Sequence, residues 1–122
     1  MISVRIIVAD IPAAVAFYTG PLGFDLDVQT PVFAAVQKGE LKLLLSDPHS
    51  AGGKPLPDGT HQAPGGWNRV MITVPDIAAE VARLKGLGVT FRNDPVTGPA
   101  GALAILDDPS GNPIELWQPA AH

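Results

Sequence analysis

The chain contains no cysteine in its 122 residues. A disulfide framework and a thiolate metal site are therefore excluded, and the nitrogen donors open to a metal are His49, His61 and His122. The lack of thiols fits a reducing compartment, so a cytoplasmic location is the expectation. Positive charge is also sparse, with eight Lys and Arg against twelve Asp and Glu, a formal net charge of −4 and a pI near 5.1. Without a basic stripe there is nothing to track a phosphate backbone, which argues against nucleic acid as a partner. Long apolar runs are missing too. The opening Met-Ile-Ser-Val-Arg-Ile-Ile-Val-Ala-Asp meets a charge at once, too early for a signal peptide. No other run approaches membrane length, so a soluble protein with no membrane partner is expected. A Gly-x-Ser-x-Gly elbow, a Gly-x-Gly-x-x-Gly loop and a Walker loop are all absent, and nothing places a Ser-His-Asp triad.

What is present is a repeat. Val8-Ala9-Asp10-Ile11-Pro12-Ala13-Ala14-Val15 returns as Val74-Pro75-Asp76-Ile77-Ala78-Ala79-Glu80-Val81, at a constant offset of 66, and Leu22-Gly23 returns as Leu87-Gly88 at an offset of 65. The local physics agrees in both halves. Val4 to Val8 and Val70 to Val74 are short β-rich runs, each followed by an Asp able to cap a helix. Pro12 falls in the first helical turn, where its missing N–H costs little. Ile11, Val15, Tyr18 and Leu22, and again Ile77, Val81, Leu84 and Leu87, recur at helical spacing, with Gly23 and Gly88 closing the helices. Short strands are expected at Phe24 to Val28, Phe33 to Gln37 and Leu41 to Leu45, then at Val89 to Arg92, Ala102 to Leu106 and Ile114 to Trp117. Lys38-Gly39-Glu40, Gly98-Pro99-Ala100-Gly101 and Asp107 to Asn112 read as turns. One domain is expected over 1–122, made of a first β-α-β-β-β unit (1–46), a Gly- and Pro-rich segment (47–66) and a second unit (67–122). The middle segment reads either as a plain linker or as a lid over a cavity mouth.

The run Val8 to Tyr18, the triplet Leu22-Gly23-Phe24 and the closing Asp108-Pro109-Ser110-Gly111-Asn112-Pro113-Ile114-Glu115-Leu116 resemble the vicinal oxygen chelate superfamily. That group holds glyoxalase I, bleomycin-resistance proteins, fosfomycin-resistance transferases and extradiol dioxygenases. The resemblance spans the whole chain and implies an α+β fold: two tandem βαβββ units forming a curved mixed sheet around a cavity. Because members run unrelated chemistries on one scaffold, it says more about fold than about function.

In metal-using relatives four ligands converge, one from the first and one from the last strand of each unit, commonly His or Gln and then Glu. The resemblance puts these positions at Ser3, Arg69 and Glu115, with Leu43 as the counterpart of Glu115 when Gly39 is aligned with Gly111. One of the four keeps a metal-binding side chain, whereas a tight divalent site needs three or more protein donors. No metal and no other cofactor is expected. Strand alternation turns Ser3, Arg5 and Ile7 toward the cavity, together with Leu43, Arg69, Met71, Thr73, Glu115 and Trp117. An Arg69–Glu115 ion pair is expected to occupy the volume a metal would take and to offer donors to a ligand carbonyl or carboxylate.

Plainer readings stand beside these. Arg69 with Glu115 is either a pocket floor or a partly exposed pair of little consequence. Trp67-Asn68 either contacts a ligand or packs at a strand entrance, and Arg92 either lines the cavity mouth or is solvated. Phe17 and Tyr18 read as core, His49 as a solvated loop residue, His61 as either solvated or reaching a ligand, and His122 as an unordered terminus. The leading expectation is a metal-independent binding protein of the resistance type, holding a small organic ligand in a homodimer. The alternative is a glyoxalase-like lyase or isomerase or a dioxygenase-type enzyme, in its metal-free form using Glu115 as base and Arg69 to stabilise an enolate-like charge. A non-catalytic interaction module, its cavity filled by side chains, is the third.

Overall fold

The computed structural model describes residues 2–121; Met1 and His122, and with them the reading of His122, lie outside the described residues. The chain forms two compact units, Met1–Gly65 and Gly66–His122. The first runs β1 (Val4–Ile7), α1 (Ile11–Thr19), β2 (Asp25–Gln29), β3 (Phe33–Lys38) and β4 (Leu41–Ser46), with sheet order β1-β4-β3-β2. The second repeats the plan with β5 (Val70–Thr73), α2 (Ile77–Gly86), β6 (Val96–Gly98), β7 (Gly101–Asp107) and β8 (Pro113–Pro119), in the order β5-β8-β7-β6. Each sheet is open and mixed: its first and last strands pair in parallel, the rest antiparallel. The tandem βαβββ expectation holds, as two four-stranded sheets, one per unit.

The repeated residues do repeated work. Asp10 accepts the N–H of Ala13 at 3.0 Å, and Asp76 that of Ala79 at 3.1 Å, so each caps its helix. The residue that opens each repeat, Val8 or Val74, donates its N–H to Ser46 or Trp117 at the end of the partner strand, at 3.0 and 2.8 Å. This bond ties the strand to the helix start, and each helix then covers one face of its own sheet. Under α1 lie Ile11, Ala14, Phe17, Tyr18, Leu22, Ala34, Val36, Leu43 and Leu45; under α2 lie Ile77, Val81, Leu84, Ala104, Leu106, Ile114 and Leu116. Phe17 and Tyr18 are core residues, as expected, their rings edge-to-face with centroids 5.2 Å apart.

Three expectations need correcting. No strand forms at Val89 to Arg92, where Phe91 makes only an isolated bridge to Leu106; the edge strand is Val96–Gly98, joined to β7 through the Pro99-Ala100 turn. Its Val-Thr-Gly is too short to announce itself by alternation. Helix α1 stops at Thr19 rather than running to Gly23, and Val15 is only half-buried, its place in the core taken by Ala14 and Phe17. Leu87 is exposed because it is the C-cap of α2 and has turned off the helix face, while Gly88 after it takes the left-handed φ of 83°.

The segment after β4 begins as an ordered turn. Asp47 Oδ1 accepts the N–H groups of His49 and Ser50 at 2.8 and 3.1 Å, and Ser50 Oγ donates to the Asp47 carbonyl at 2.7 Å. Gly52 then lies against the Arg5 guanidinium so closely that a Cβ there would sit 2.5 Å from Cζ. His49 and His61 are exposed, as the solvated-loop reading expects.

In the second unit Gly101 allows an equally close approach: a Cβ would lie 2.2 Å from the Gln118 carbonyl oxygen and 2.9 Å from the Trp117 ring. Gly101→Ala is expected to cost about 1–3 kcal/mol of stability by forcing β7 off β8. Urea unfolding followed by tryptophan fluorescence checks this; a change within about 0.5 kcal/mol, the range of a neutral surface substitution, would show that the two strands have room to spare.

Candidate functional site

Strand register decides which side chains leave the helix-covered face of each sheet, because residues paired across strands share a face and neighbours along a strand alternate. In the second unit Met71 pairs with Glu115 and Glu115 with Ile105, while Thr73 pairs with Trp117 and Trp117 with Leu103. Their neighbours Val70, Ile72, Ile114, Leu116 and Ala104 form the other row, under α2. The open face of this sheet therefore carries Arg69, Met71, Thr73, Leu103, Ile105, Asp107, Glu115 and Trp117, with Val96 beside Leu103 on the edge strand.

Arg69 and Glu115 meet on this face. Arg69 Nε donates to Glu115 Oε1 at 2.9 Å and Nη2 lies 2.9 Å from the same oxygen, while Nη1 donates to the Trp67 carbonyl at 3.1 Å. The carboxylate is nearly buried, with its side chain 9% exposed, and the arginine half-buried at 27%. Among the described residues no donor reaches Glu115 Oε2, which keeps acceptor capacity. The outer N–H groups of the guanidinium likewise remain for another acceptor.

A second pair stands beside the first. Arg92 Nε donates to Asp107 Oδ1 at 2.6 Å, Nη2 donates to the Gly111 carbonyl at 3.1 Å, and the guanidinium stacks over the Trp67 ring with Cζ 5.2 Å from its centroid. Arg92 is thus neither loose nor simply solvated; it props an indole that is itself 73% exposed. Met71 is 54% exposed and Trp117 half-buried, so an apolar strip runs beside the two pairs. Asn68 is exposed, with no side-chain hydrogen bond among the described residues. Sequence reasoning missed Leu103, Ile105 and Asp107. The first two follow from alternation within Ala102 to Leu106, but Asp107 reads as a turn residue until the strand is seen to include it.

The first unit is different. Arg5 pairs with Leu44, and Val4 with Leu43. Leu43 therefore points under the helix, fully buried, and the counterpart of Glu115 is Leu44: the equivalence of Gly39 and Gly111 is off by one residue because the turn after Asp107 is longer. On the open face Ser3 and Arg5 are exposed, Ile7 is half-buried, and Ser46, which pairs with Ile7, is completely buried. Ser46 Oγ has no hydrogen-bond partner among the described residues.

Two shallow depressions are present, one along Asp25, Asp27 and Gln37 in the first unit and one around Thr73, Pro75 and Gln118 in the second.

Comparison with known proteins gives the class. The family model described as the Glyoxalase/Bleomycin resistance protein/Dioxygenase superfamily matches residues 1–116, and the chain belongs to that superfamily. TnmS3, an antibiotic binding protein from Streptomyces sp. CB03234, is 29% identical over 98% of each chain, with a TM-score of 0.73. A superfamily member from Sphaerobacter thermophilus DSM 20745 is 28% identical over 95% of this chain and 94% of that one, TM-score 0.75. Lactoylglutathione lyase from Agrobacterium tumefaciens shares the fold at 22% identity over 97% and 92% of the chains, TM-score 0.74. Among the described residues no helix is long and apolar enough to cross a membrane.

Of the ligand positions that the resemblance implies, Glu115 carries a carboxylate and Arg69 holds it, and among the described residues no three His, Asp or Glu side chains gather.

A double-mutant cycle measures what the ion pair contributes. Glu115→Ala is expected to cost about 1–3 kcal/mol, since it strips a half-buried arginine of its partner. Arg69→Ala together with Glu115→Ala should fall short of additivity by about 1 kcal/mol in urea unfolding. Strict additivity would mean the pair is energetically idle.

Proposed function

We propose that the protein binds a small organic molecule on the open face of the second unit, without a metal ion, and sequesters or carries it rather than transforming it. The observation that carries this reading is the Arg69–Glu115 pair, set where a metal-using relative would offer an ion. One carboxylate oxygen and the outer guanidinium N–H groups face a ligand, beside an apolar strip of Met71, Ile105, Leu103 and Trp117. Apolar walls with a few fixed polar anchors are the usual make-up of a small-molecule site. TnmS3 binds an antibiotic and shares 29% of its residues with this chain over almost the full length, which favours binding over turnover. Arg69, Glu115, Met71, Trp67, Arg92 and Trp117 form the ligand-facing set of this proposal, with Ser3, Arg5 and Asn68 outside it. The homodimer and the cytoplasmic location that the sequence suggests belong to the same proposal.

Thermal-shift screening against a library of neutral and charged organic molecules tests it. A ligand present at a hundred times its Kd adds about 2.7 kcal/mol to stability, a shift of several degrees for a chain this size. Both tryptophans of the chain, Trp67 and Trp117, lie beside the anchor, so the same ligand should change tryptophan emission. The effect should vanish in Arg69→Ala and in Glu115→Ala. A hit indifferent to both substitutions would place the ligand elsewhere, and Zn, Ni, Mn or Fe retained stoichiometrically after dialysis would sink the metal-free reading. Light scattering should give about twice the chain mass of 12.7 kDa, and a monomer would remove the dimer.

A further inference from the structure

We infer that the ligand of this face is electrically neutral: a flat, apolar molecule carrying a hydroxyl or similar hydrogen-bonding group, rather than a carboxylate or an amine. The inference rests on the binding reading above and adds the ligand's chemical class.

Every formal charge on the open face of the second unit is already matched. Arg69 is held by Glu115 with two nitrogens 2.9 Å from one oxygen, and Arg92 by Asp107 at 2.6 Å. Two cations and two anions leave the face with no net charge. Between and beside them the surface is Met71, Ile105, Leu103, Trp117 and Val96, with Thr73 as the further polar side chain. A carboxylate placed here could accept from the outer N–H groups of Arg69, but its charge would then lie beside that of Glu115, which is too buried to swing out into water. An ammonium group could reach Glu115 Oε2, but its charge would lie beside the Arg69 guanidinium. In either case a third charge is brought to a balanced pair and loses its hydration for little return.

A neutral hydroxyl meets neither obstacle. It can donate to Glu115 Oε2, which no donor among the described residues reaches, and accept from the outer N–H groups of Arg69, while the charges stay matched. The fit of a flat ring follows from the rest of the face. The Trp67 indole is fixed by Arg92 on one side and by the bond from Arg69 to its carbonyl, yet stays 73% exposed. The contrast with the first unit supports the assignment. There Arg5 has neither an ion pair nor a side-chain hydrogen bond among the described residues, and Gly52 lies against its guanidinium. Arg5 stays unmatched although Lys42 in the same unit pairs with Asp27 at 3.0 Å, so the matching of Arg69 and Arg92 is not automatic for every arginine in the chain.

Three probes of one shape separate the possibilities: 2-naphthol, 2-naphthoate and 2-naphthylmethylammonium, titrated at pH 7 into the full-length protein. The indole N–H signals of Trp67 and Trp117 in nitrogen-proton NMR spectra serve as the readout. We expect 2-naphthol to bind about tenfold more tightly than either ion, with an affinity unchanged between low and high salt. Glu115→Gln keeps the shape and removes the negative charge, so naphthoate should overtake naphthol; Asp107→Asn should move the preference the same way, which guards against a misfolded first variant. A charged probe that binds tightest to the unaltered protein overturns the inference, as does an order of affinities that neither variant changes. If naphthoate leads and Arg5→Ala removes its advantage, charge selection belongs to Arg5 and the inference fails. No perturbation of either indole by any probe would instead bring down the binding reading on which it rests.

Discussion

The parallel pairing of β5 with β8 holds the second unit's face in place, and most of what is distinctive about the molecule depends on its register. With Met71 opposite Glu115, a glutamate that could have pointed under α2 points the other way, within reach of an arginine one step earlier on the neighbouring strand. A slip of one residue would exchange the rows, burying Arg69 and Glu115 against Val81 and Leu84 and setting Ile114 and Leu116 in the open. Two features pin the register. The N–H of Val74 bonds to the Trp117 carbonyl where the strand gives way to the helix, and the side chain of Gln118 accepts the N–H of Ile77 at 2.9 Å, tying β8 to the first turn of α2.

The same register explains how an arginine can hold the carboxylate at a position where the resemblance implies a metal ligand. A metal draws several donors inward and neutralises them. Arg69 does this for one carboxylate and sends its remaining Nη1 bond to the Trp67 carbonyl, which steadies the indole. Arg92 completes the arrangement from the other edge by contacting Trp67, Asp107 and Gly111 at once. The arrangement is therefore supplied by side chains and backbone carbonyls of residues 67–115, and its strength is that of partly buried, charge-assisted hydrogen bonds.

Much of this was legible in the sequence. The offset of 66 between Asp10 and Asp76 located both helix caps and both first strands, and through the family resemblance it pointed to Arg69 and Glu115 as partners, as the structure has them. Legibility failed where the repeat loses its phase. The two turns before the last strands differ in length, so the glycine match led to Leu43 where pairing gives Leu44. The strand Val96–Gly98 has no pattern of its own and exists because β7 offers it an edge. Arg92 was singled out, but its partners were not, because Asp107 and Gly111 are 15 and 19 residues away and read as turn residues.

The duplication also yielded two unequal copies. In the first, Gly52 rests on Arg5 and Ser46 is completely buried; in the second, the position equivalent to Ser46 is Trp117, which is half-buried. New specificity in such a scaffold can be sought by changing side chains at 71, 103, 105 and 117, which share one face of the second sheet and leave the row packed under α2 untouched.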